Sequence, residues 1–323
     1  YYLAHTQHET LSMIQVADLG GVYLVSFVVA MVNALVFDCA YQFPEVREWF
    51  GQAELRPYRY YASLEVLNRS TMASWLFRRN LILEALLVGA VLIATYWYGY
   101  VRLQQIKFPP GPVVCLLQSN LDQRLREVAQ RMNNQEGPPP TVLTHFGDLI
   151  RVAAWTKPQP DLVIWPETSF PFPYSEVSPD FPPHKLNTPE FKAWRDYGIE
   201  MQTKLTEFAK SSNNVTHLLG MNAYYLTAEG RSEQYNKALL LTPRGSIEAK
   251  YDKIHRVPFG EYLPLKKWMP FLAALTPYTG DFGIQAGEKH TRFQSGKYHF
   301  GVLICYEDTD PFLARRYVTH ADE

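Results

Sequence analysis

Two uninterrupted apolar runs dominate the first third of the chain. Residues 20–37 (GGVYLVSFVVAMVNALVF) are 18 positions without a charge, and residues 81–101 (LILEALLVGAVLIATYWYGYV) are 21 positions with one, Glu84. At the rise of an α-helix these runs reach roughly 27 and 32 Å, against a bilayer hydrocarbon core of about 30 Å. Both can span a membrane; the alternative is a pair of buried helices in a soluble core. The flanks favour spans. Arg78 and Arg79 precede the second run, and Tyr96, Trp97, Tyr98 and Tyr100 cluster at its far end as an interfacial aromatic belt does. Residues 38–79 carry Arg47, Arg56, Arg59, Arg69, Arg78 and Arg79, whereas residues 1–19 carry no Lys or Arg. The positive-inside rule therefore places the connecting segment in the cytoplasm, with residues 1–19 and everything after about 102 on the other side. The expected division is a membrane region over 1–107, with spans at about 20–37 and 81–101, and a second region over 108–323.

From Pro109 onward the pattern changes to short apolar runs separated by polar stretches and Pro/Gly-rich loops. Residues 113–118, 162–165, 217–221, 238–241 and 300–304 read as buried strands. Residues 122–134 and 189–211 read as helices, the second with Thr188 as N-cap and Pro189 at its first position. Strands alternating with helices predict a layered α/β domain. There is no internal repeat and no low-complexity tract beyond 137–140.

Composition adds limits. Thirty-one Lys plus Arg against 32 Asp plus Glu give a formal charge of −1, which leaves no basic footprint for nucleic acid. The mean hydropathy of −0.21 averages two unlike parts and describes neither. Three cysteines, Cys39, Cys115 and Cys305, are too few for a disulfide scaffold and fit no zinc spacing, so at least one thiol is unpaired. Cys39 and Cys115 read as structural. His5, His8, His255 and His299 show no metal-ligand spacing, and no cofactor is expected. The chain opens on Tyr1 without a basic leader, which reads as a clipped sequence.

Functional residues of open α/β sheets gather beyond the carboxyl ends of strands, and three segments fit that rule. In DLVIWPETSFP, Pro166 blocks the ladder and presents Glu167 just past the strand; the plain alternative is a solvated loop residue. In YDKIHRVPFGEYLPL, Lys253 and Glu261 sit among prolines and apolar residues, either as a pocket wall or as a simple salt bridge on a long loop. In FGVLICYED, Cys305 follows an apolar run and precedes Tyr306, Glu307 and Asp308, so it is either a buried filler or a thiol at an emerging strand end. A nucleophilic thiol needs a base and a nearby cation, and Glu167 and Lys253 supply both.

A strand-end Glu, a Lys and a strand-end Cys in that order resemble the nitrilase, or carbon-nitrogen hydrolase, superfamily. The wording WPETSFP, KIHRVPFGEYLPL and ICYED resembles its membrane-embedded branch, the bacterial apolipoprotein N-acyltransferases. Residues 11–33 and Gln118-Ser119-Asn120 extend the likeness. The resemblance implies an α-β-β-α sandwich, incomplete at its C-terminal side, preceded by transmembrane helices. It implies Cys305 as the nucleophile, Glu167 as the general base and Lys253 as the oxyanion-stabilising cation. Glu261, Tyr306 and Glu307 come with it as supporting residues. It further implies a phospholipid acyl donor, a diacylglyceryl apolipoprotein acceptor, no cofactor, no nucleic acid, and a place in the bacterial inner membrane with the catalytic part on the exoplasmic side.

Against that family the chain lacks membrane helices before its first span, sheet and helix after the nucleophile, and a final membrane helix, so it is expected to be the middle of a longer protein. The aromatic, Pro-rich stretches 170–183 and 264–282 are expected to act as lids at the bilayer surface. Two other readings stand beside this one: a membrane-tethered nitrilase or amidase, which needs no such loops, and a non-catalytic homologue acting as a membrane-bound binding module.

Overall fold

The computed structural model describes residues 2–52, 71–105, 108–120, 140–264 and 283–319. The expected helix at 122–134, the lid residues 265–282, and Arg56, Arg59 and Arg69 lie outside them. The chain divides into two compact units, Tyr1–Pro109 and Pro110–Glu323.

The first unit is helical: α1 (Leu11–Ile14), α2 (Ala17–Ala40), α3 (Pro44–Gln52) and α4 (Thr71–Gln105). Ala17–Ala40 and Arg79–Gln105 are long and apolar enough to cross a membrane, and only 11% of each apolar window is buried. A core helix of a soluble protein is mostly buried, so the exposure of Leu86, Leu87, Ile93 and Trp97 speaks against that alternative. Helix α2 is broken near its start, where Gly21 has φ +63°. Gly99 of α4 meets α1 so closely that a Cβ there would lie 1.7 Å from the Ser12 carbonyl oxygen. Asp18 ties α2 to α4 by accepting from the Tyr98 hydroxyl at 2.8 Å and from Arg102 Nε at 2.9 Å.

The second unit is built on a mixed sheet of β1 (Val114–Leu116), β2 (Leu162–Ile164), β3 (Tyr174–Val177), β4 (Thr216–Leu226), β5 (Ser232–Leu241) and β6 (Ile247–Asp252). Strand order is β1-β2-β4-β5-β6, with β3 paired to the far half of β4. Strands β1, β2 and β4 are parallel, and β5 is antiparallel to both β4 and β6. Strands β2, β4 and β6 therefore run the same way and end on the same side.

The central strands read as continuous apolar runs because both of their faces are covered. Leu219, Met221, Leu239 and Leu241 face a layer made by α5 (Pro140–Trp155) and α6 (Lys192–Ser211), packing with Phe146, Ile150, Met201 and Leu205. Their neighbours Leu218, Ala238 and Leu240 point the other way, onto Tyr251, Phe293 and Ile304. Phe293 belongs to an antiparallel hairpin of β7 (Phe293–Ser295) and β8 (Tyr298–Phe300). The layers are thus helix, mixed sheet and second-sheet hairpin, a nitrilase-like α/β arrangement.

Several sequence expectations are corrected. Only Phe300 of the expected strand 300–304 lies in a strand, since residues 301–304 have no ladder partner among the described residues. Helix α6 starts at Lys192, not 189: Thr188 caps nothing with its hydroxyl, which donates to the Lys185 carbonyl, while its own carbonyl closes a turn with Phe191 and Lys192. Two of the four aromatics expected in a lid over 170–183 are instead core residues, Phe170 buried against Trp165 and Phe208 and Phe181 against Phe191, while Phe172 and Tyr174 are partly buried. Helix α5 and strands β3, β6 and β7 were not foreseen.

Candidate functional site

The site begins where β2 stops. Trp165 still donates to Leu218 O, but Pro166 has no N–H, and the chain leaves the sheet for Glu167 and Thr168. It returns at once, Ser169 and Phe170 both donating to Gly220 O at 2.9 Å. Thr168 takes the turn with φ +47°. This corner crosses β4 at a glycine because nothing larger fits: a Cβ on Gly220 would stand 2.2 Å from the Pro166 carbonyl oxygen. Glu167 is thereby presented at the sheet edge.

Lys253 follows the last residue of β6 and has the parity of Tyr251, so it points to the second-sheet side. It is fully buried. Its Nζ lies 2.6 Å from Glu261 Oε1 and 3.3 Å from Glu167 Oε1. The other Glu261 oxygen accepts from the Val257 amide at 2.8 Å, fastening the 257–261 loop to the carboxylate that holds the lysine. Burial by itself pulls the ammonium down, but the bond to Glu261 and the charges of Glu167 and Glu261 outweigh it and hold Lys253 above the usual lysine value. It stays charged.

Cys305 ends the extended segment after β8 and turns sharply, with φ +53°, into a 3-10 turn, Cys305–Thr309. A non-glycine residue in the left-handed region costs on the order of 1 kcal/mol or more, so the surroundings must impose it. Glu307 does so. Its carboxylate, fully buried, accepts from the Ile304 amide at 2.7 Å, the Ile254 amide at 2.7 Å, the His255 amide at 3.0 Å and the Tyr251 hydroxyl at 2.7 Å. One side chain therefore binds the cysteine turn to the strand end and loop that carry Lys253.

Cys305 is exposed as a residue, yet burial is the first cause that raises its thiol above the ordinary value. The Glu167 charge and hydrogen bond raise it further, and Lys253 and the Tyr306 amide pull it back. A raised thiol is neutral at neutral pH, so attack by its sulfur requires an acceptor for its proton.

The structure thus gathers Glu167, Lys253 and Glu261 through direct contacts, places the Cys305 thiol against Glu167, and uses Glu307 as a brace. Tyr306 is partly exposed beside His255, with ring centroids 5.6 Å apart. Cys39 and Cys115 are free thiols. Among the described residues no group of three or more His, Cys, Asp or Glu side chains gathers to hold a metal. Sequence reasoning missed Asn236, which donates from Nδ2 to Glu167 Oε1 at 2.6 Å, and Tyr251.

Residues 123–321 match the family described as carbon-nitrogen hydrolase, and residues 1–35 match the apolipoprotein N-acyltransferase N-terminal domain. Over 316 residues the chain is 29% identical to the apolipoprotein N-acyltransferase of Geobacter metallireducens, covering 98% of this chain and 49% of that one. It is 30% identical to that of Methylococcus capsulatus over 252 residues, 76% of this chain and 41% of the other. The chain spans about half the length of the curated relatives it matches. Among solved structures, a carbon-nitrogen hydrolase from Helicobacter pylori aligns with TM-score 0.37 and 18% identity, over 62% of this chain and 54% of that one. Saccharomyces cerevisiae Nit3 aligns with TM-score 0.33 and 21% identity, over 54% and 52%. With its family match running through β2, β6 and the cysteine turn, the chain belongs to the carbon-nitrogen hydrolase family and is apolipoprotein N-acyltransferase-like within it.

Proposed function

We propose that this chain carries the catalytic chemistry of an apolipoprotein N-acyltransferase, moving an acyl chain from a phospholipid to the amino terminus of a diacylglyceryl-cysteine lipoprotein. The observation that carries the reading is the convergence of Glu167, Lys253 and Glu261 beside a cysteine held in a strained turn.

In the first half-reaction Cys305 Sγ attacks the acyl ester carbon while Glu167 accepts the thiol proton. The carbonyl oxygen becomes an oxyanion, which Lys253 Nζ and the Tyr306 amide stabilise; one such donor is worth about 3 kcal/mol in a water-poor site. The ester C–O bond breaks and Glu167 returns the proton to the departing lysophospholipid alcohol. In the second half the lipoprotein α-amine attacks the thioester carbon, the C–S bond breaks, an amide forms, and the amine proton passes by way of Glu167 to the cysteine sulfur. Glu261 keeps Lys253 charged and aimed, and Glu307 holds the backbone of both halves of the site. No metal or organic cofactor takes part.

Residues 1–107 then form a membrane region and residues 108–323 the catalytic region. The arginine-rich segment between the spans lies in the cytoplasm of a bacterium, and the catalytic region faces the exoplasmic side of the inner membrane. Two lipid substrates are consistent with such an anchor. The test is incubation with acyl-labelled phospholipid and a diacylglyceryl peptide. Labelled thioester on Cys305 followed by N-acyl peptide is expected; release of free fatty acid without N-acyl peptide would assign the chain to hydrolysis instead.

A further inference from the structure

We infer that Asn236 is a positioning residue for the general base: its side chain aims Glu167 at the Cys305 thiol, and its main chain places Lys253. The inference deepens the proposed function and rests on that reading of Glu167.

Asn236 lies on β5 opposite Asn222 of β4, with the parity of Ala238 and Leu240, and so points to the second-sheet side where the cysteine turn lies. It is 2% exposed. Its Nδ2 donates to Glu167 Oε1 at 2.6 Å, and its carbonyl oxygen accepts from the Lys253 amide at 2.9 Å. One residue therefore makes a direct bond to the carboxylate with its side chain and to the lysine with its backbone.

The orientation of the amide follows from chemistry. A carboxylate accepts only, so the group facing Glu167 must be the amide nitrogen. The other end, Oδ1, is buried with no hydrogen-bond partner among the described residues. A buried orphan acceptor is unfavourable, and an aliphatic side chain of similar size would avoid it. What asparagine alone supplies here is the N–H toward Glu167. Oε1 is engaged by both Asn236 and Lys253, so the amide helps fix the rotation of the carboxylate that lies beside the thiol. Losing the amide frees the carboxylate to rotate about its side-chain bonds and to pair more closely with Lys253, away from the sulfur.

The test uses the full chain in detergent micelles and a p-nitrophenyl acyl ester, whose acylation of Cys305 forms the S–C bond, breaks the C–O bond and releases p-nitrophenolate. Asn236→Ala is expected to slow the acylation burst about 10- to 100-fold while leaving the saturation constant for the ester near wild type. Asn236→Asp keeps the shape but sets a carboxylate against Glu167, and is expected to be slower than alanine. In a Glu167→Gln background Asn236→Ala should cost nothing further, because its effect runs through Glu167.

A space-filling role predicts the reverse order, aspartate better than alanine, and additive losses; either result overturns the inference, as does a wild-type burst rate in Asn236→Ala. If aspartate does not fold, the alanine variant in the two backgrounds decides alone. Absence of any thioester on wild-type Cys305 overturns the proposed function, and a Glu167→Gln burst equal to wild type removes Glu167 as base; neither resembles a normal burst that is merely indifferent to Asn236.

Discussion

Lys253 Nζ lies 2.6 Å from Glu261 Oε1, closer than the 3.3 Å to Glu167 Oε1, so the buried cation is held chiefly by the carboxylate eight positions away on its own loop. Breaking a buried pair from one side leaves an uncompensated charge and costs about 3–5 kcal/mol. Glu261→Ala is expected to lower the thermal midpoint of the second unit and nearly abolish acylation, whereas Glu261→Gln retains an acceptor for Lys253 and loses less. Because Lys253 is held above its ordinary 10.5, the stabilisation it brings is present below that pH and disappears as pH rises through the folded value. Unfolding scans from pH 8 upward should show an alkaline loss that Glu261→Gln flattens.

Glu167 and Lys253 act on the Cys305 thiol in opposite directions, and this separates proton transfer from simple ionisation. The carboxylate raises the thiol and the ammonium lowers it. Glu167→Gln should therefore shift the pH profile of Cys305 alkylation by iodoacetamide to lower pH, while the acylation rate falls about 100-fold or more for want of a general base. Lys253→Met should shift the same profile upward. Peptide mass spectrometry resolves Cys305 from Cys39 and Cys115. An alkylation profile that does not move in Glu167→Gln would show that the carboxylate is not beside the thiol.

What was legible in the sequence is what the backbone enforces locally. Pro166 must end β2, so Glu167 could be placed; the polar run after residue 304 marked the chain's emergence at Cys305. The two helices of the first unit follow from length and apolarity alone. The remainder depends on contacts between residues far apart in the chain. Asn236 meets Glu167 across 69 positions and Glu307 meets Tyr251 across 56, and no local pattern announces either bond. Thr188 offered an N-cap, yet the turn it closes with Lys192 begins the helix later. Phe170 and Phe181 sit in a Pro-rich stretch that reads as surface, but a ring cluster around Trp165 and an edge-to-face contact with Phe191 draw them inward.

Glu307 is buried with no ion-pair partner among the described residues, stabilised by four donors from three segments. Glu307→Gln exchanges one acceptor oxygen for an amide that faces N–H groups, so it should cost about 2 kcal/mol or more and loosen the cysteine turn. Tyr251→Phe removes a single bond and should cost about 1 kcal/mol. Hydrogen exchange at the amides of Ile254, His255 and Ile304 reports the change directly: faster exchange at all three in Glu307→Gln is expected. Unchanged protection with lost activity would instead make Glu307 a participant in the reaction.

His217 gives the second unit an acid limit. The ring is fully buried between Phe208 and Trp165, whose indole N–H donates to Nδ1 at 3.4 Å. Indole cannot accept, so the proton sits on Nε2, which has no partner among the described residues. Burial pushes the imidazole from its ordinary 6.5 down to about 4. Above pH 6.5 both states are neutral; below it the unfolded chain takes up a proton that the folded ring refuses, so stability falls until pH reaches about 4. The full loss is on the order of 3 kcal/mol. His217→Phe should flatten unfolding midpoints between those limits, and an equally steep decline in the variant would assign the acid limit elsewhere.

Gly220 tests whether the Glu167 corner is imposed by the sheet. Alanine there would bring its Cβ to 2.2 Å from the Pro166 carbonyl oxygen and 3.0 Å from Glu167 Cα, both backbone atoms that cannot swing aside. Either β4 or the corner must shift, and the corner is the softer because β4 is paired on both sides whereas the corner's backbone joins the sheet through the Ser169 and Phe170 bonds to the Gly220 carbonyl. A displacement of that size carries Glu167 away from both Asn236 and the thiol, and about 1 Å of misplacement costs roughly 100-fold in rate. Overpacking adds about 1–3 kcal/mol of destabilisation. Gly220→Ala should therefore lose far more acylation than stability, with Cys305 alkylation moving toward the Glu167→Gln profile. Normal acylation in a folded Gly220→Ala would mean that the position of Glu167 does not depend on the close crossing of Pro166 over β4.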